Sequence, residues 1–502
     1  MAVGESAPRQ QRTYGNWRRP QRAGIGSFGL GVTVVLFAGL VMSVLTLLIS
    51  LWLTLAVLAL MVLLLVPLSV KDRYGRTLMA RMGARIGWRT TVQAGSHLYR
   101  SGPLGRTGYG TCTLPGLAAA SELVEAQDSW GRPFALLSYP TTGHYVAVLS
   151  CEADGASLVD QDQVDIWVAH WGQWLANLAN EPGLVGASVS IETAPDSGIR
   201  LAHEVNTNVV ADAPQLSKDV LAGILAEYPA GSAQITTRVT LTYSAAARAG
   251  HERRTADEMA LLIGNRLPGL AERLAMTGAG VARPMTAVEL AEAVRVAYDP
   301  SVATLVEEAR NTPEGSGLTW DNAGPVAAEE SADLYRHDGA YSVSWLMAAA
   351  PRGAVLSSVL TGFLQPAEDI ARKRVTLLYR PHDPASASKV VQDDVQHAEF
   401  RAGQNKRGKA SDTAAVKSAR QSEEEEATGA GVVRFSLLAT ATVMDRDDLP
   451  RAEAAIDNLS APARITLRHA YRSQSSAFAA ALPIGLVLPL HLMVPSTVRD
   501  SL

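Results

Sequence analysis

The sequence predicts an α+β protein: an N-terminal two-helix transmembrane hairpin followed by two ferredoxin-like α/β sandwich domains. Three observations predict it. Residues 23 to 70 carry no charge, a run of 48 positions in a chain of 502. Beyond that run, stretches of apolar–polar alternation are interleaved with segments of helical periodicity, the pattern of strands separated by helices. A Pro-, Gly- and polar-rich stretch over 311–331 divides those segments into two groups.

Composition agrees with a folded chain, at 47% hydrophobic and 19% charged residues. The net charge of −4 hides an asymmetry. Met1 to Ala94 carries 11 basic and 2 acidic residues, a net +9, which leaves −13 for the rest. A large body of that sign is a poor non-specific partner for nucleic acid, whose affinity comes from neutralising phosphates. Two cysteines, Cys112 and Cys151, exclude a disulfide framework and a four-cysteine metal site.

The organisation expected is a cytoplasmic N-terminal segment (1–24), a two-span transmembrane hairpin (25–70) and a basic juxtamembrane segment (71–94). A first cytoplasmic α+β domain (95–310), a linker (311–331) and a second cytoplasmic α+β domain (332–502) follow. The apolar core Val32 to Leu68 is nearly twice the length of about 20 residues that one crossing requires. Arg18, Arg19 and Arg22 precede it, and Lys71, Arg73, Arg76, Arg81, Arg85 and Arg89 follow it. Basic residues on both flanks predict two spans in the cell membrane with both termini cytoplasmic. Leu78, Met82 and Ile86 share one face of a basic helix that would favour anionic headgroups.

Further along, Tyr145 to Cys151 reads as a strand. Asp165 to Ala179 reads as a helix with Trp167, Trp171, Trp174, Leu175 and Leu178 on one face, a stripe that suits core packing. Glu181-Pro182-Gly183 ends it. Val185, Ala187, Val189 and Ile191 alternate with polar residues, as do Ile235, Thr237, Val239, Leu241 and Tyr243. That alternation suits a sheet covered by helices on one face. Helices are expected over Leu216–Tyr228, Ala256–Met276 and Ala287–Ala297. After the linker come strands at Tyr341–Met347 and Val375–Tyr379 and a long helix-prone region from Ala385 to Ala427. Alternation over Val433–Val443, a helix from Leu449 to Leu459 and a short strand over Ile465–His469 complete the pattern.

No residue set predicts catalysis, a cofactor or a metal. Gly403 to Ala410 matches G-x-x-x-x-G-K but lacks the Ser or Thr that ligates magnesium, and no apolar strand precedes it. Glu423 to Glu426 reads as the solvated acidic end of a helix. His203-Glu204 and His251-Glu252 lack the second histidine of a zinc motif. Asp160, Asp162 and Asp165 miss the spacing of a calcium loop. Cys112 has no basic neighbour to activate its thiol. No catalytic, cofactor-binding or metal residue is assigned.

The opening Tyr14-Gly15-Asn16-Trp17-Arg18-Arg19-Pro20, the apolar run, and the Trp-rich Ile166 to Leu178 followed by Glu-Pro-Gly carry a resemblance over almost the whole chain. It resembles the uncharacterised actinobacterial membrane proteins encoded beside conjugative, type IV secretion-like genes. The order of elements from Val375 to Gly485 is similar to the N-terminal domain of conjugative assembly ATPases. No motor segment follows before Leu502, so the resemblance implies a separate motor subunit and carries over no ATP hydrolysis. The function it implies is a membrane-anchored structural component of a conjugation or type IV secretion-like machine, not an enzyme, that docks a separate cytoplasmic ATPase. Its partners would be that conjugative or secretion ATPase, other membrane-complex subunits and the lipid bilayer, with no nucleic acid and no small-molecule substrate. The alternatives are a core component of a type VII secretion membrane complex and, in another class, a membrane-tethered enzyme.

Overall fold

The computed structural model describes residues 12–17, 30–105, 108, 110–153, 155, 158–227, 232–246, 252–351, 353–404 and 410–492. The chain starts with three helices, α1 (Leu30–Leu47), α2 (Leu51–Ser69) and α3 (Leu78–Gln93). Next come β1 (Leu98–Arg100), β2 (Glu122–Gln127), β3 (Pro133–Tyr139), β4 (His144–Glu152), α4 (Gln161–Leu178) and β5 (Leu184–Pro195). The helices α5 (Ile199–Asn208) and α6 (Gln215–Glu227) lead to β6 (Ala233–Ser244). They are followed by α7 (Ala256–Gly264), α8 (Leu267–Leu274), β7 (Val281–Pro284), α9 (Ala287–Tyr298) and α10 (Ala303–Arg310). Strands β8 (Ala327–Glu330), β9 (Tyr335–His337) and β10 (Ala340–Ala349), the short α11 (Thr361–Leu364) and β11 (Arg372–Pro381) come next. The chain continues through α12 (Pro384–Gln404), α13 (Ala410–Ala427), β12 (Val433–Val443), α14 (Leu449–Ser460), β13 (Thr466–His469) and α15 (Gln474–Ala481).

The fold is α+β around one 13-stranded antiparallel sheet of order β1-β8-β9-β10-β12-β11-β5-β6-β4-β3-β2, with β13 added to β10 and β7 to β4. Both halves of the chain build the same motif. In the first, β4, β5, β6 and β7 lie in the order β7-β4-β6-β5; in the second, β10, β11, β12 and β13 lie in the order β13-β10-β12-β11. Counted along the chain, each set is ordered 4-1-3-2, the arrangement of a ferredoxin-like unit. Each unit carries a helical pair, α5–α6 or α12–α13, between its second and third strands. The units join edge to edge, β5 against β11, from Thr193↔Lys373 to Ala187↔Tyr379. Residues 311–331, expected as a linker, include β8, which pairs with β1 (Glu329↔Leu98).

The transmembrane part of the expected fold class is corrected. Among the described residues no helix is long and apolar enough to cross a membrane. The apolar run turns at Leu48–Ser50, where Ile49 and Ser50 N–H both donate to Thr46 O. That turn leaves helices of 18 and 19 residues. The two-span hairpin at 25–70, the membrane keywords and the cell-membrane location with both termini cytoplasmic are therefore withdrawn. Arg18, Arg19, Arg22 and both chain ends lie outside the described residues.

Sequence alternation places two different surfaces on the two faces of the sheet. One face carries Ala147, Leu149, Val239, Leu241 and Tyr243 under α4, α7 and α8, and Val343, Trp345, Val375, Leu437 and Ala439 beside α11 and α14. The other face was expected to be solvated, and it is not. Ser188, Ser190, Thr240, Thr242, Ser342, Ser344, Thr376, Thr440 and Thr442 are all buried. The C-terminal segment lies across them as a strap. Thr376 Oγ1 donates to Ala481 O at 2.8 Å, Thr242 Oγ1 to Gly485 O at 2.9 Å and Tyr139 OH to Ile484 O at 2.7 Å. Ser190, Thr242 and Thr376 succeed there because they bond the carbonyls of the strap, while Ser342 pairs with Thr442 and Ser344 with Thr440. Gly485 fits for two reasons: its φ is +67°, and an added Cβ would come within 2.6 Å of Val146 and Thr242.

Candidate docking site

The most unusual surface is the pair α1–α2. The helices pack closely where Gly39 lies against Met61, a contact so tight that a Cβ on Gly39 would sit 2.6 Å from the sulfur. Ser43, Thr46 and Thr54 are the buried side chains of this pair among the described residues. Each hydroxyl returns to its own helix or turn, Ser43 to Leu40 O, Thr46 to Ser43 O and Thr54 to Ser50 O. The remaining surface is apolar on every side, and at the tip Leu48 and Trp52 are 82% and 81% exposed. A helix that is apolar all round belongs in a buried setting, and an exposed apolar surface of this size marks an interaction site.

A second apolar feature lies on α6, where Leu216, Val220 and Ile224 form an exposed row four residues apart. Such a row fits along an apolar groove or a partner helix. The corresponding pair in the second unit, α12–α13, closes on itself through Val395, Ala398, Val416 and Ala419. The segment near the N-terminus is fastened to the body. Tyr14 pairs with Val355, its hydroxyl donates to Asp165 at 2.9 Å, and Asn16 Nδ2 donates to Ser422 at 3.0 Å on α13.

Inside the body, polar clusters are tied into structural networks. At the seam between the units Glu192 accepts from Arg372 (2.5 Å) and Arg374 (2.7 Å). Burial alone would raise its pKa, but Arg374, Arg372 and Arg238 outweigh burial and hold the carboxyl far below its usual range. His337 is fully buried, with Nδ1 2.5 Å from Tyr298 O and Nε2 2.7 Å from Ser342 Oγ. The carbonyl requires a proton on Nδ1, so Nε2 accepts from Ser342, which in turn meets Thr442 at 2.7 Å. Burial pushes the pKa of His337 down to about 4, which keeps the ring neutral near pH 7. Burial also lowers Lys373 to about 8; its ammonium donates to Gln365 O and lies above the Phe363 ring. Cys151 is buried and its thiol is pushed up to about 12, so it is not an activated nucleophile.

The features singled out from sequence fall as follows. Of the eight residues from Gly403 to Ala410, Gly403 and Gln404 end α12 and Ala410 begins α13, while 405–409 lie outside the described residues. The near-match thus follows a helix rather than a strand. Glu423 to Glu426 form the last turn of α13, where Glu426 accepts from Ser388. His203 and Glu204 lie on α5, and His251 is outside the described residues. Asp160 precedes α4 at the N-cap position without a side-chain capping bond, and Asp162 and Asp165 lie in the helix. Trp171 and Trp174 stack at 5.1 Å, Trp174 donating to Leu270 O, while Trp167 closes on Gly278. Among the described residues no group of His, Cys, Asp and Glu could hold a metal ion. Alternation did not reveal the Glu192 cluster, because Glu192 and Arg238 stand at polar positions of their strands, and Arg372 and Arg374 precede the strand expected at Val375–Tyr379.

The apolar helical pair is also where a comparison with known proteins finds a match. A family described as a domain of unknown function (DUF8461) matches residues 21–80, the pair and the loop after it. No curated protein matches the chain.

Proposed function

We propose that this protein is a structural assembly component that works by docking other proteins rather than by catalysis. The observation that supports this reading is the α1–α2 pair, whose apolar surface nothing in the described chain covers. Water contact on that area opposes solubility by about 25 cal/mol per Å², so the working protein holds it against apolar partner surface. The α6 row supplies a second contact on the body. The sequence resemblance names the partner to test first, the ATPase of a conjugation or secretion-type machine together with its neighbouring subunits. The contact expected is on the order of 1,200–2,000 Å² around a few apolar or aromatic anchors.

The test is purification of the full chain from its host in mild detergent, with the co-purifying proteins identified. Defined partners, including an ATPase, should appear in fixed ratio. Leu48→Asp with Trp52→Asp should release partners held by the helical pair, and Leu216→Asp with Val220→Asp those held by α6. A chain that runs as a monomer without detergent, with no partner lost in either variant, would sink the reading.

A further inference from the structure

We propose that the cleft between the loop after α2 and strand β13 binds a phosphate group, as a free phosphate ester or as the headgroup of an anionic lipid. This stands apart from the docking reading, because it rests on charge and hydrogen-bond donors rather than on apolar surface. The cleft has a volume of about 420 Å³, ample for a phosphate and the group attached to it. Arg73, Arg76, Arg81 and Arg85 line it from the N-terminal side, and Arg468 and Arg472 from the C-terminal side. Against those six arginines stand only two lining carboxylates, Asp72 and Asp457, an excess of four positive charges.

The loop that presents Arg73 and Arg76 is held in place. Asp72 Oδ1 accepts from the N–H groups of Tyr74 and Arg76, both at 2.9 Å, and Asp72 N–H donates to Arg76 O. One oxygen of Asp72 is thus engaged by the loop backbone. Arg73 lies over the Tyr74 ring at 4.6 Å, which orients its guanidinium. Opposite, Arg472 has a positive φ of 63° and its N–H donates to Ala332 O, so the C-terminal side of the cleft is equally fixed.

Two further observations point to a ligand. Trp345 lines the cleft and is 1% exposed, yet its indole Nε1 has no hydrogen-bond partner among the described residues. Nδ1 of half-buried His469, whose ring is 5.0 Å from that of Trp345, is also without a partner among the described residues, and it is a second donor in the tautomer that carries its proton there. A buried N–H without an acceptor is rare, and a phosphate oxygen would supply one. Arg468 shows the same deficit of negative charge. Its pKa is lowered, first by burial and then by the nearby Arg76, while Asp72 and Tyr74 oppose the shift. Arginine suits this role because its planar fork meets two phosphate oxygens at once.

Binding is measured on the full chain in a non-ionic detergent micelle by titration with inorganic phosphate. Flotation on vesicles of phosphatidylcholine with and without phosphatidylglycerol forms the second arm. Saturable binding is expected in at least one arm. Arg76→Ala with Arg468→Ala should weaken it about tenfold or more, and Trp345→Phe several-fold. Arg451→Ala, on α14 outside the lining, should leave it unchanged. Arg81→Gln with Arg85→Gln repeats the test on exposed α3, where the fold is not at risk. Phosphate binding without preference among vesicles assigns a soluble ester. Flotation that needs phosphatidylglycerol and fails in the Arg76/Arg468 variant assigns a headgroup. No saturable binding in either arm, or equal loss in the Arg451 variant, overturns the proposal.

Discussion

The two ferredoxin-like units solve one problem with different parts. In the first, the connection from β4 to β5 is the 18-residue helix α4, which buries Trp174 and Leu178 on the sheet. In the second, the matching connection from β10 to β11 contains a 3-10 turn and the four-residue α11, with Phe363 as its buried anchor. Strand order is the same in both. Order is therefore set by the ladders and by strand pairing at the seam, while different elements serve as the cover that removes the apolar face from water. The inserted helical pairs differ in the same spirit. The pair α12–α13 closes its own apolar seam, whereas α5–α6 leaves a row open, and the open one is where a partner is expected.

The strongest way to break this comparison is to damage one unit and ask whether the other survives. Trp174→Ala removes a buried indole and its bond to Leu270 O, and should cost toward the upper end of about 3–5 kcal/mol. Phe363→Ala should fall toward the lower end of about 3–5 kcal/mol. Because β5 and β11 share a continuous ladder, both variants should show one urea transition shifted to lower midpoint. Two separated transitions would show the units to be independent.

Acid sharpens the comparison. Where β3 ends in Tyr139, β9 ends in His337, and each reaches a backbone carbonyl, Ile484 O or Tyr298 O. Only the second of these corners titrates in mild acid. The folded-state pKa of His337 is about 4 against an ordinary 6.5, so the unfolded chain takes up the proton first. Its contribution is intact above about 6.5 and falls away toward about 4, by roughly 2 kcal/mol between pH 7 and 5. Denaturant melts of the wild type and His337→Gln at both pH values measure it; equal slopes would remove His337 from the account. Glu192 acts at lower pH. With its pKa held down, its contribution is present above the usual carboxylate range and lost below it.

Smaller effects test the seam and the surface. Thr376→Val removes the hydroxyl that donates to Ala481 O and meets Ser190, and should cost about 1 kcal/mol. A neutral result would mean that Ser190 alone satisfies that carbonyl. Arg420→Ala cuts an exposed pair with Glu399 on α12–α13, and thermal melting should show no measurable change, as for most surface ion pairs.

Much of the body was legible in the sequence, for physical reasons that also mark where legibility stopped. The runs at 145–151, 235–243 and 433–443 read as strands because side chains alternate with period two, and the Trp stripe of α4 reads as a core face. Alternation says which residues share a face but not what covers it. Ser188, Ser190, Thr240 and Thr242 look like a wet surface until a distant segment arrives to cap them. The repeated strand–helix order pointed to two like units, but residue by residue they do not match: Val146 and Val148 in one central strand stand where Ser342 and Ser344 stand in the other. Residues 385–427 read as one helical region because helical periodicity carries no sign of a reversal. The basic cleft joins residues far apart in the chain, so no local motif announces it.

The strap has a consequence in time. Ser190 and the Ala481 carbonyl it reaches are 291 residues apart. At about 5–20 residues per second, a ribosome exposes that strand face on the order of a quarter-minute to a minute before its cover is made. β1 waits too, since its partner Ala327–Glu329 is synthesised more than two hundred residues later. A bare apolar face waiting that long would invite the wrong neighbour. The serines and threonines of β5, β6 and β11 are wetted while they wait, and Ser190, Thr242 and Thr376 bond the strap when it comes.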